Sequence, residues 1–540
     1  MKYLKRLTIL FKPDAGFSLT FPYITYKIYV CMRLTLLNTA FLLITFFLFQ
    51  SNSSFAENNA VEVLGKEIKA ILHNSCLKNG SAGIKVFSLT KGDVVFQKNS
   101  SQFFIPASNI KLLTTAVALK VLGGEYQFLT TVSTDGEIKK GVLNGNIYLK
   151  GFGDPRLVSE ELWMIVKSIR NRGIKRINGN IIADDTFFDD KLKGVGVRKN
   201  GGPEPYNARV SALSLNFNTV TVYVNPAKKV GARPIVTVDP PTKYIKVSNK
   251  AKTTARGRNY NIVAGRVKKN GHDTVFINGS IKTPGYHVYL NVSDPTLYTI
   301  TVFKEFLEKE GIIIKGTISI AKQPEEVKKL VIHKSRPLSL IIQDMNKISN
   351  NFISEQVLKT VGAERFGVPG TTRKGLDLVN QLMETLGHLP SSYSVVDGSG
   401  LSKQNSLSPD QIIDVLKNMY YDFSVRAEYV ASLGIMGIDG SLKKRLNEFQ
   451  KRRYIRAKTG TLNGASSLSG YVGTEGGEEL AFSMLINSRK CSWDNNNKIQ
   501  NRIVEKLAAF SRTKIENTIF TNTGDKQLAI TPQISYNSSR

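Results

Sequence analysis

The sequence is poor in cysteine, histidine and acidic residues. Its 540 residues include three cysteines and five histidines. The histidines are scattered without paired spacing, which argues against a metal site, and we expect no cofactor. Only 43 Asp and Glu stand against 74 Lys and Arg, so the formal net charge is +31. Such a charge favours acidic partners, and nucleic acid is the first to consider.

Long apolar runs are also scarce, and the exception lies near the N-terminus. From Met32, an alternative initiator, the chain has one arginine, an apolar run over 34–49, and small residues at Ser54 and Ala56. This order is typical of a secretory signal cleaved after Ala56. The run is short for a spanning helix, and an uncleaved anchor is the alternative. A periplasmic location follows, where the charge meets an anionic envelope polymer or a membrane surface and not nucleic acid.

Two cysteines, Cys76 and Cys491, follow the predicted cleavage position. Exported proteins fold in an oxidising compartment, so these residues can form one disulfide, and two buried free thiols are the alternative. We predict that they pair, because we expect the early helix and the exit of the last hairpin on one covering layer of the same sheet.

The two ends of the mature chain carry matching elements. "IKVFSLTKGDVVFQKN" predicts a hairpin with its turn at 91–93, and "LSGYVGTEGGEELAFSMLIN" predicts a second one with its turn at 475–477. A helix near 60–75 precedes the first hairpin, and "NKIQNRIVEKLAAF" predicts a closing helix. We expect these pieces to build one antiparallel sheet, with the intervening chain inserted into it.

The middle of the chain has a different pattern. Residues 132–325 are rich in short β runs, with one clear helix near 158–171. Within this stretch, residues 228–269 hold 12 Lys and Arg against one acid, Asp239. This run is either a polymer-binding face or a solvated charge run. A chain of this length exceeds what one hydrophobic core usually serves, so we expect two or three domains.

An apolar helix after "IPASN" carries a lysine. Ser108 and Lys111 are three residues apart and share one helical face, beside a nearly continuous apolar stretch that ends at Leu119. In the plain interpretation Ser108 caps the helix and Lys111 reaches solvent. The spacing itself is common, because it also starts at Ser88, Ser319, Ser441 and Ser511. The apolar surroundings favour burial, which lowers the pKa of a lysine and makes it a base beside a hydroxyl nucleophile.

Two further motifs join this pair. "MNKISNNFI" presents Ser349 and Asn351 at a break between helices, and "RAKTGTLNG" presents Lys458 at the start of Lys-Thr-Gly. Ser-x-x-Lys, Ser-x-Asn and Lys-Thr-Gly in this order form the penicillin-recognising set. The chain over about 60–510 resembles the class C low-molecular-mass penicillin-binding proteins, of the penicillin-binding protein 4 type. The segments that narrow the resemblance are "GFGDPRL", "IIADDTFF", "YNARVSALSLNFN", "HKSRPLSLIIQDMNKISNN", "VDGSGLSKQN" and "GIMGIDGSLKKR".

The resemblance implies a fold and a division of the chain. The fold is the α/β penicillin-binding and serine β-lactamase-like domain, a five-stranded antiparallel sheet with helices, split by inserted β-rich domains. The implied division is an upstream segment with a signal peptide at 1–56, a peptidase domain at 57–131 and 326–512, a second domain at 132–214 and 300–325, a third at 215–299, and a polar tail at 513–540.

The resemblance also implies an activity, that of a serine D-alanyl-D-alanine carboxypeptidase and endopeptidase that binds peptidoglycan stem peptides and β-lactams. Ser108 would attack the carbonyl, Lys111 would take its proton, and Ser349 would relay a proton to the leaving amine. Asn351 would hold the substrate amide. Lys458 and the hydroxyls of Thr459 and Thr461 would bind the terminal carboxylate of the substrate. The backbone amides of Ser108 and Thr461 would bind the oxyanion. Gly460 of the Lys-Thr-Gly motif is also implied as a substrate-binding residue.

A further subsite is implied for the third residue of the peptide, commonly diaminopimelate. Asp184, or alternatively Asp185, would bind its ammonium group, and Phe188 would pack on its methylenes. Lys403, where the family usually has arginine, would bind its carboxylate, with Asn463 beside it. A solvated acidic pair and a surface lysine are the plain alternative.

Three other functions compete with this hypothesis. A β-lactamase needs only one inserted helical domain, so the β-rich insert argues against it. A non-catalytic basic envelope-binding protein would lose motif residues, and none is missing. A nucleic-acid-binding protein predicts neither the export signal nor the three motifs.

Overall fold

The structure is a computed structural model that describes residues 59–77, 81–196, 202–255, 260–269, 271–283, 285–446, 449 and 453–512. Residues 64–511 form one compact unit. Of the other unit, 1–63 with 512–540, the structure describes only the helical residues 59–63 and residue 512. The predicted signal and the polar tail therefore lie outside the described residues.

Helices and strands alternate along this unit, with a long β-rich stretch between two helical parts. The first part contains α1 (64–72), β1 (Ala82–Ser88), β2 (Val94–Lys98) and α2 (Ile110–Leu122). The middle contains β3 (Leu129–Thr134), β4 (Glu137–Lys139), β5 (Val142–Asn144), β6 (Ile147–Gly151), α3 (Ser159–Asn171), β7 (Arg176–Ile177), β8 (Ile181–Asp184), β9 (Thr219–Asn225), β10 (Ile235–Asp239), β11 (Ile245–Asn249), β12 (Lys252–Thr253), β13 (Tyr260–Lys269), β14 (His272–Ile281), β15 (Tyr286–Asn291), α4 (Pro295–Lys309), β16 (Ile313–Ile314), β17 (Ile318–Ile320) and β18 (Lys328–Lys334). The last part contains α5 (Leu338–Lys347), α6 (Asn351–Phe366), α7 (Thr372–Thr385), α8 (Pro409–Tyr421), α9 (Arg426–Ser432), β19 (Gly434–Ile435), β20 (Ile455–Leu462), β21 (Ala465–Gly473), β22 (Glu479–Ile486) and α10 (Trp493–Ala509).

The two ends of the chain share one antiparallel sheet, in the order β19-β20-β21-β22-β1-β2. Both predicted hairpins are present, and β1 pairs with β22 along its whole length, from Ala82 opposite Ile486 to Ser88 opposite Leu480. The sheet has a sixth strand where five were expected, because the two residues of β19 pair with the edge of β20. The prediction that both ends build one sheet is confirmed.

A disulfide joins the two ends outside the sheet. Cys76 lies in a 3-10 turn after α1, Cys491 lies between β22 and α10, and the two sulfurs are bonded. The predicted pairing is therefore confirmed, and the alternative of two free thiols is wrong.

The inserted chain forms four smaller sheets. Their orders are β17-β8-β6-β3-β18, β16-β7-β5-β4, β10-β9-β15, and β11-β14-β12 with β13 also paired to β14. The expected boundary between the peptidase domain and the second domain at 131/132 falls within β3. Strand β18 lies after the second expected boundary between these domains, at 325/326. Because β3 and β18 belong to one sheet, sheet membership places the insert between residues 129 and 334.

Two buried apolar clusters support this arrangement. One cluster packs α2, α5, α6 and α8 on the six-stranded sheet and includes Leu112, Ile342 and Leu485. The other fills the insert and includes Val222 and Phe303. Every residue of α2 from Ile110 to Leu119 is buried, so this helix has no solvated side in its first ten residues.

The basic stretch lies at the surface of the insert. Nine of the ten described Lys and Arg between 228 and 269 are exposed, and the tenth, Arg266, lies 3.2 Å from Asp273 Oδ1. This exposure agrees with both of the alternatives stated above. In the part of the chain that the structure describes, every helix is too short or too polar to cross a bilayer.

Candidate active site

Ser108 lies in a tight turn before α2. The turn is a 3-10 helix, Ala107–Asn109, in which Ala107 has a φ of +48°, a conformation that non-glycine residues seldom adopt. Gly400 packs so closely on this turn that a Cβ there would lie 1.9 Å from the Ala107 carbonyl oxygen. Asn109, not Ser108, holds the capping position of α2, so the plain capping interpretation is wrong. Ser108 instead lines a cavity of about 1110 Å³.

Lys111 is fully buried beside Ser108. Its Nζ lies 3.1 Å from Ser108 Oγ and donates to Asn351 Oδ1 at 2.8 Å and to the Ser399 carbonyl oxygen at 2.5 Å. Burial lowers the pKa of Lys111 to about 7, although the charges of Asp397 and Glu355 oppose the shift. The amine therefore exists in substantial part as a neutral base near neutral pH.

A second buried amine lies across the site. Ser349 connects α5 to α6 with a φ of +60°, and its Oγ accepts a hydrogen bond from Lys458 Nζ at 2.8 Å. Lys458 also donates to the Thr459 carbonyl oxygen at 2.8 Å. Burial and the nearby charge of Lys111 lower the pKa of Lys458 well below its usual range. The two amines therefore disfavour each other's protonation.

Strand β20 passes directly against the turn that holds Ser108. A Cβ at Gly460 would lie 2.9 Å from the backbone nitrogen of Ser108 and 2.1 Å from Ser467 Oγ. Asn109 Nδ2 donates to the Lys458 carbonyl oxygen at 2.8 Å. The Thr459 hydroxyl lies 2.7 Å from Ser441 Oγ. Thr459 and Thr461 line the same cavity as Ser108. Glycine is thus required at position 460 for this close approach.

Three residues that support the lysine were missed in the sequence. Asp397 accepts hydrogen bonds from the Gly400 and Ser402 amides at 2.7 Å each, and Glu355 accepts one from the Ser399 amide at 2.9 Å. Burial and the Asp397 charge raise the pKa of Glu355 to about 7. The sequence could have identified Glu355 as a buried functional residue, because it is an acid among apolar residues of helix α6. Lys111 was identified by the same kind of pattern, as a base among apolar residues of α2. Asp397 and Ser399 lie in the quoted "VDGSGLSKQN", of which only Lys403 was selected.

The insert reaches this site. Asn351 Nδ2 donates to the Tyr206 carbonyl oxygen at 3.2 Å, and Glu204 lines the cavity. Two of the predicted subsite residues, Lys403 and Asn463, line it as well. The structure therefore brings these two residues to the same cavity as Ser108.

The other subsite residues lie elsewhere. Asp184 is fully buried, where its carboxylate lies 3.1 Å from Lys150 Nζ and accepts a hydrogen bond from the Gln323 amide at 3.0 Å. Burial alone would raise the pKa of Asp184, but these partners and Thr186 lower it. Asp185 and Phe188 line a separate cavity of about 800 Å³. The structure does not bring these three residues to the cavity of Ser108. Asp184 ends strand β8 of the insert's sheet, and Asp185 and Phe188 follow this strand.

Comparisons with known proteins bear on this geometry. The model of the D-Ala-D-Ala carboxypeptidase 3 (S13) family matches residues 64–510. A D-alanyl-D-alanine carboxypeptidase of Actinomadura sp. (strain R39) is 32% identical over 441 residues, which cover 78% of this chain and 81% of that protein. The crystal structure of penicillin binding protein 4 from Haemophilus influenzae is similar with a TM-score of 0.72 at 23% identity, covering 82% of this chain and 99% of that one. A second structure of it, complexed with a novel β-lactam, has a TM-score of 0.68 at 22% identity and the same coverage.

The structural similarity confirms the predicted fold class, and the family match confirms the resemblance seen in the motifs. The family model covers well over half of the chain, including all three motifs. This chain belongs to the D-Ala-D-Ala carboxypeptidase 3 (S13) family.

Proposed function

We propose that this protein cleaves the D-alanyl-D-alanine bond of peptidoglycan stem peptides and cross-links through an acyl-enzyme on Ser108. The observation that carries the proposal is the buried Lys111 Nζ, 3.1 Å from Ser108 Oγ. A neutral amine at this distance accepts the hydroxyl proton as the oxygen attacks. Family membership and the relative from Actinomadura support the same reaction.

The reaction proceeds in two steps. Ser108 Oγ bonds to the carbonyl carbon of the penultimate D-alanine, its proton passes to Lys111 Nζ, and the peptide C–N bond breaks. The leaving amine receives a proton through Ser349 Oγ, which Lys458 Nζ approaches to 2.8 Å. Water then hydrolyses the ester, which returns the Ser108 hydroxyl and releases the shortened peptide.

The backbone near Gly460 stabilises the transition state. The amides of Ser108 and Thr461 bind the oxyanion, and the close approach at Gly460 supports this pairing because it holds β20 against the Ser108 turn. One such donor typically contributes about 3 to 4 kcal/mol. The hydroxyls of Thr459 and Thr461 bind the terminal carboxylate. That carboxylate also favours the ammonium form of Lys458, because an opposite charge stabilises it.

The third residue of the peptide binds between the insert and the loop after α7. Lys403 and Asn463 hold its carboxylate, and lysine offers a point charge where arginine would offer a bidentate fork. Among the described residues that line the cavity, the acidic side chain is Glu204. We assign the ammonium group to Glu204 in place of Asp184, whose carboxylate is occupied by Lys150 and the Gln323 amide.

The protein acts outside the cytoplasm, in the periplasm. The predicted signal before Ala56 supports export, and the disulfide between Cys76 and Cys491 is typical of an oxidising compartment. Cell fractionation and N-terminal sequencing test this assignment. We expect the mature chain in the periplasmic fraction with Glu57 as its first residue, and a cytoplasmic chain that retains the apolar run contradicts it.

The decisive experiment is acylation by benzylpenicillin, whose strained amide mimics the scissile bond. Mass spectrometry of the digested protein should place one adduct on the peptide that contains Ser108, and Ser108→Ala should have none. Release of D-alanine from a pentapeptide should be lost in the same variant. An adduct elsewhere, or none on folded protein, refutes the assignment, and rapid turnover of nitrocefin favours a β-lactamase instead.

A further inference from the structure

Two segments singled out in the sequence have no part in the site of Ser108. "GFGDPRL" contains Asp154, directly after β6, and "HKSRPL" begins at His333 in β18. The fold brings both to Glu161 in the first turn of α3. None of these three residues lines the cavity of Ser108.

The three side chains converge on one point. One potential ligand atom from each of Asp154, Glu161 and His333 lies within 4.8 Å of the others. His333 Nε2 is 3.8 Å from Glu161 Oε2, too far for a good hydrogen bond. The gap between these atoms is of a size that a small cation fills, since zinc–ligand bonds are about 2.0 to 2.2 Å long.

Polar atoms around this gap lack partners. Asp154 is 3% exposed; its Oδ1 accepts the Arg156 amide at 2.8 Å, whereas its Oδ2 has no hydrogen-bond partner among the described residues. His333 Nε2 and the buried Thr130 Oγ1 likewise have none within the described ranges. Thr130 pairs with His333 across β3 and β18, so both side chains lie on one face of the sheet. Buried polar atoms of this kind usually have a partner, which the residues that the structure describes do not supply here.

We propose that Asp154, Glu161 and His333 bind one divalent transition-metal ion of the Zn²⁺ type. Carboxylate oxygens and an imidazole nitrogen are zinc ligands, and the imidazole disfavours Mg²⁺ and Ca²⁺, which take oxygen ligands. The Thr130 hydroxyl or a water molecule completes the coordination. A cation also neutralises the carboxylate of Asp154, whose charge is costly to bury with one amide hydrogen bond alone.

The ion has a structural role. It ties the loop after β6 and the start of α3 to β18, and β18 pairs with β3. The chain enters the insert through β3 and leaves it through β18. The ion therefore stabilises both connections between the insert and the rest of the chain. Acylation of Ser108 does not require the ion chemically.

The test uses the full mature chain, freed of metal with a chelator and titrated with Zn²⁺, Mn²⁺ or Ca²⁺ alone. The variants are Glu161→Gln and His333→Gln. The matched control is His388→Gln, because His388 Nε2 lies 3.3 Å from Asp414 Oδ2 and no metal-ligand cluster includes this pair in the described chain. Metal content, the binding isotherm and the melting temperature are measured, and benzylpenicillin acylation reports whether each variant is folded.

We expect about one Zn²⁺ per chain in wild type and in His388→Gln, with a raised melting temperature. Binding should weaken at least about tenfold in Glu161→Gln and His333→Gln, because losing even an outer-shell partner of a metal ligand typically costs about 10- to 100-fold. Co²⁺ in wild type should show the visible absorption of imidazole and carboxylate ligation, a readout that needs no variant. Equal Zn²⁺ binding in all four proteins, or no retained Zn²⁺ and an unchanged melting temperature, overturns the proposal and leaves only a water molecule or a shared proton in the gap.

Discussion

Replacing Lys111 by methionine separates the chemical role of this lysine from its packing. Lys111 is fully buried, and its pKa of about 7 compares with 10.5 in water. At about 1.4 kcal/mol per pKa unit, keeping the amine neutral at pH 7 costs about 5 kcal/mol. Methionine is a flexible apolar side chain of similar length and has no charge to desolvate. It removes the donor to Asn351 Oδ1 and to the Ser399 carbonyl oxygen, and leaving these acceptors unpaired costs about 1 to 3 kcal/mol each.

Lys111→Met should therefore change the stability of the protein and its acylation rate to different extents. Because the cost of desolvation and the cost of the unpaired acceptors are of similar size, Lys111→Met should have a melting temperature close to that of wild type at pH 7. Acylation should fall by about 10² to 10⁴, the usual effect of removing a general base. Stopped-flow kinetics with a fluorescent penicillin and scanning calorimetry measure both. The control is Lys120→Met, on the same helix, whose lysine is exposed and pairs with Asp422 at 2.7 Å.

The pH dependence gives a second readout. The unfolded chain holds a proton on Lys111 up to about pH 10.5 and the folded chain only up to about 7, so this residue makes wild type more stable as pH rises between these values. Any advantage of Lys111→Met should therefore shrink towards pH 10. The acylation rate of wild type should rise with pH up to about 7 and then level, because only the neutral amine accepts a proton. Rates within a few fold of wild type in the variant refute the role of a base.

Three further outcomes are expected. Gly460→Ala should slow acylation strongly, because the new Cβ meets the Ser108 turn. Gly473→Ala, in β21 of the same sheet, should not, because its Cβ would lie 3.5 Å from Tyr454 Cδ1, an ordinary contact; equal rates in the two variants contradict the close approach. Glu355→Gln should move the midpoint of the acylation pH profile below that of wild type, because the carboxylate charge raises the pKa of the buried lysine; an unchanged midpoint shows that the two groups are not coupled. Lys403→Ala should raise KM for peptides with a free diaminopimelyl end and leave penicillin acylation unchanged, and equal losses on both substrates point to a structural role.

Local patterns explain what could be predicted. The lysine in an apolar helix, the break before Asn351 and the Lys-Thr-Gly strand are each encoded within a few residues, and the order of these motifs identified the family. The hairpins at the two ends predicted one sheet because each end presents strands and a covering helix that match those of the other. The hairpins and the sheet needed only periodicity, turn residues and composition, whereas the family came from the resemblance of the motifs to known sequences.

Tertiary structure decided which of these residues meet and in what state of charge. Asp184 looked like a ligand in "IIADDTFF", but the pairing of β8 with β6 places it opposite Lys150 and buries it. Burial lowers the pKa of Lys111, and the residues that enclose its amine include Asn351 and Ser399, which lie 240 and 288 residues away in the chain. The sequence by itself determined the chemical groups and their order along the chain. Packing between distant segments decided the rest, because it buries Lys111, which lowers its pKa, and brings this base within reach of the Ser108 nucleophile. No local sequence pattern records such packing.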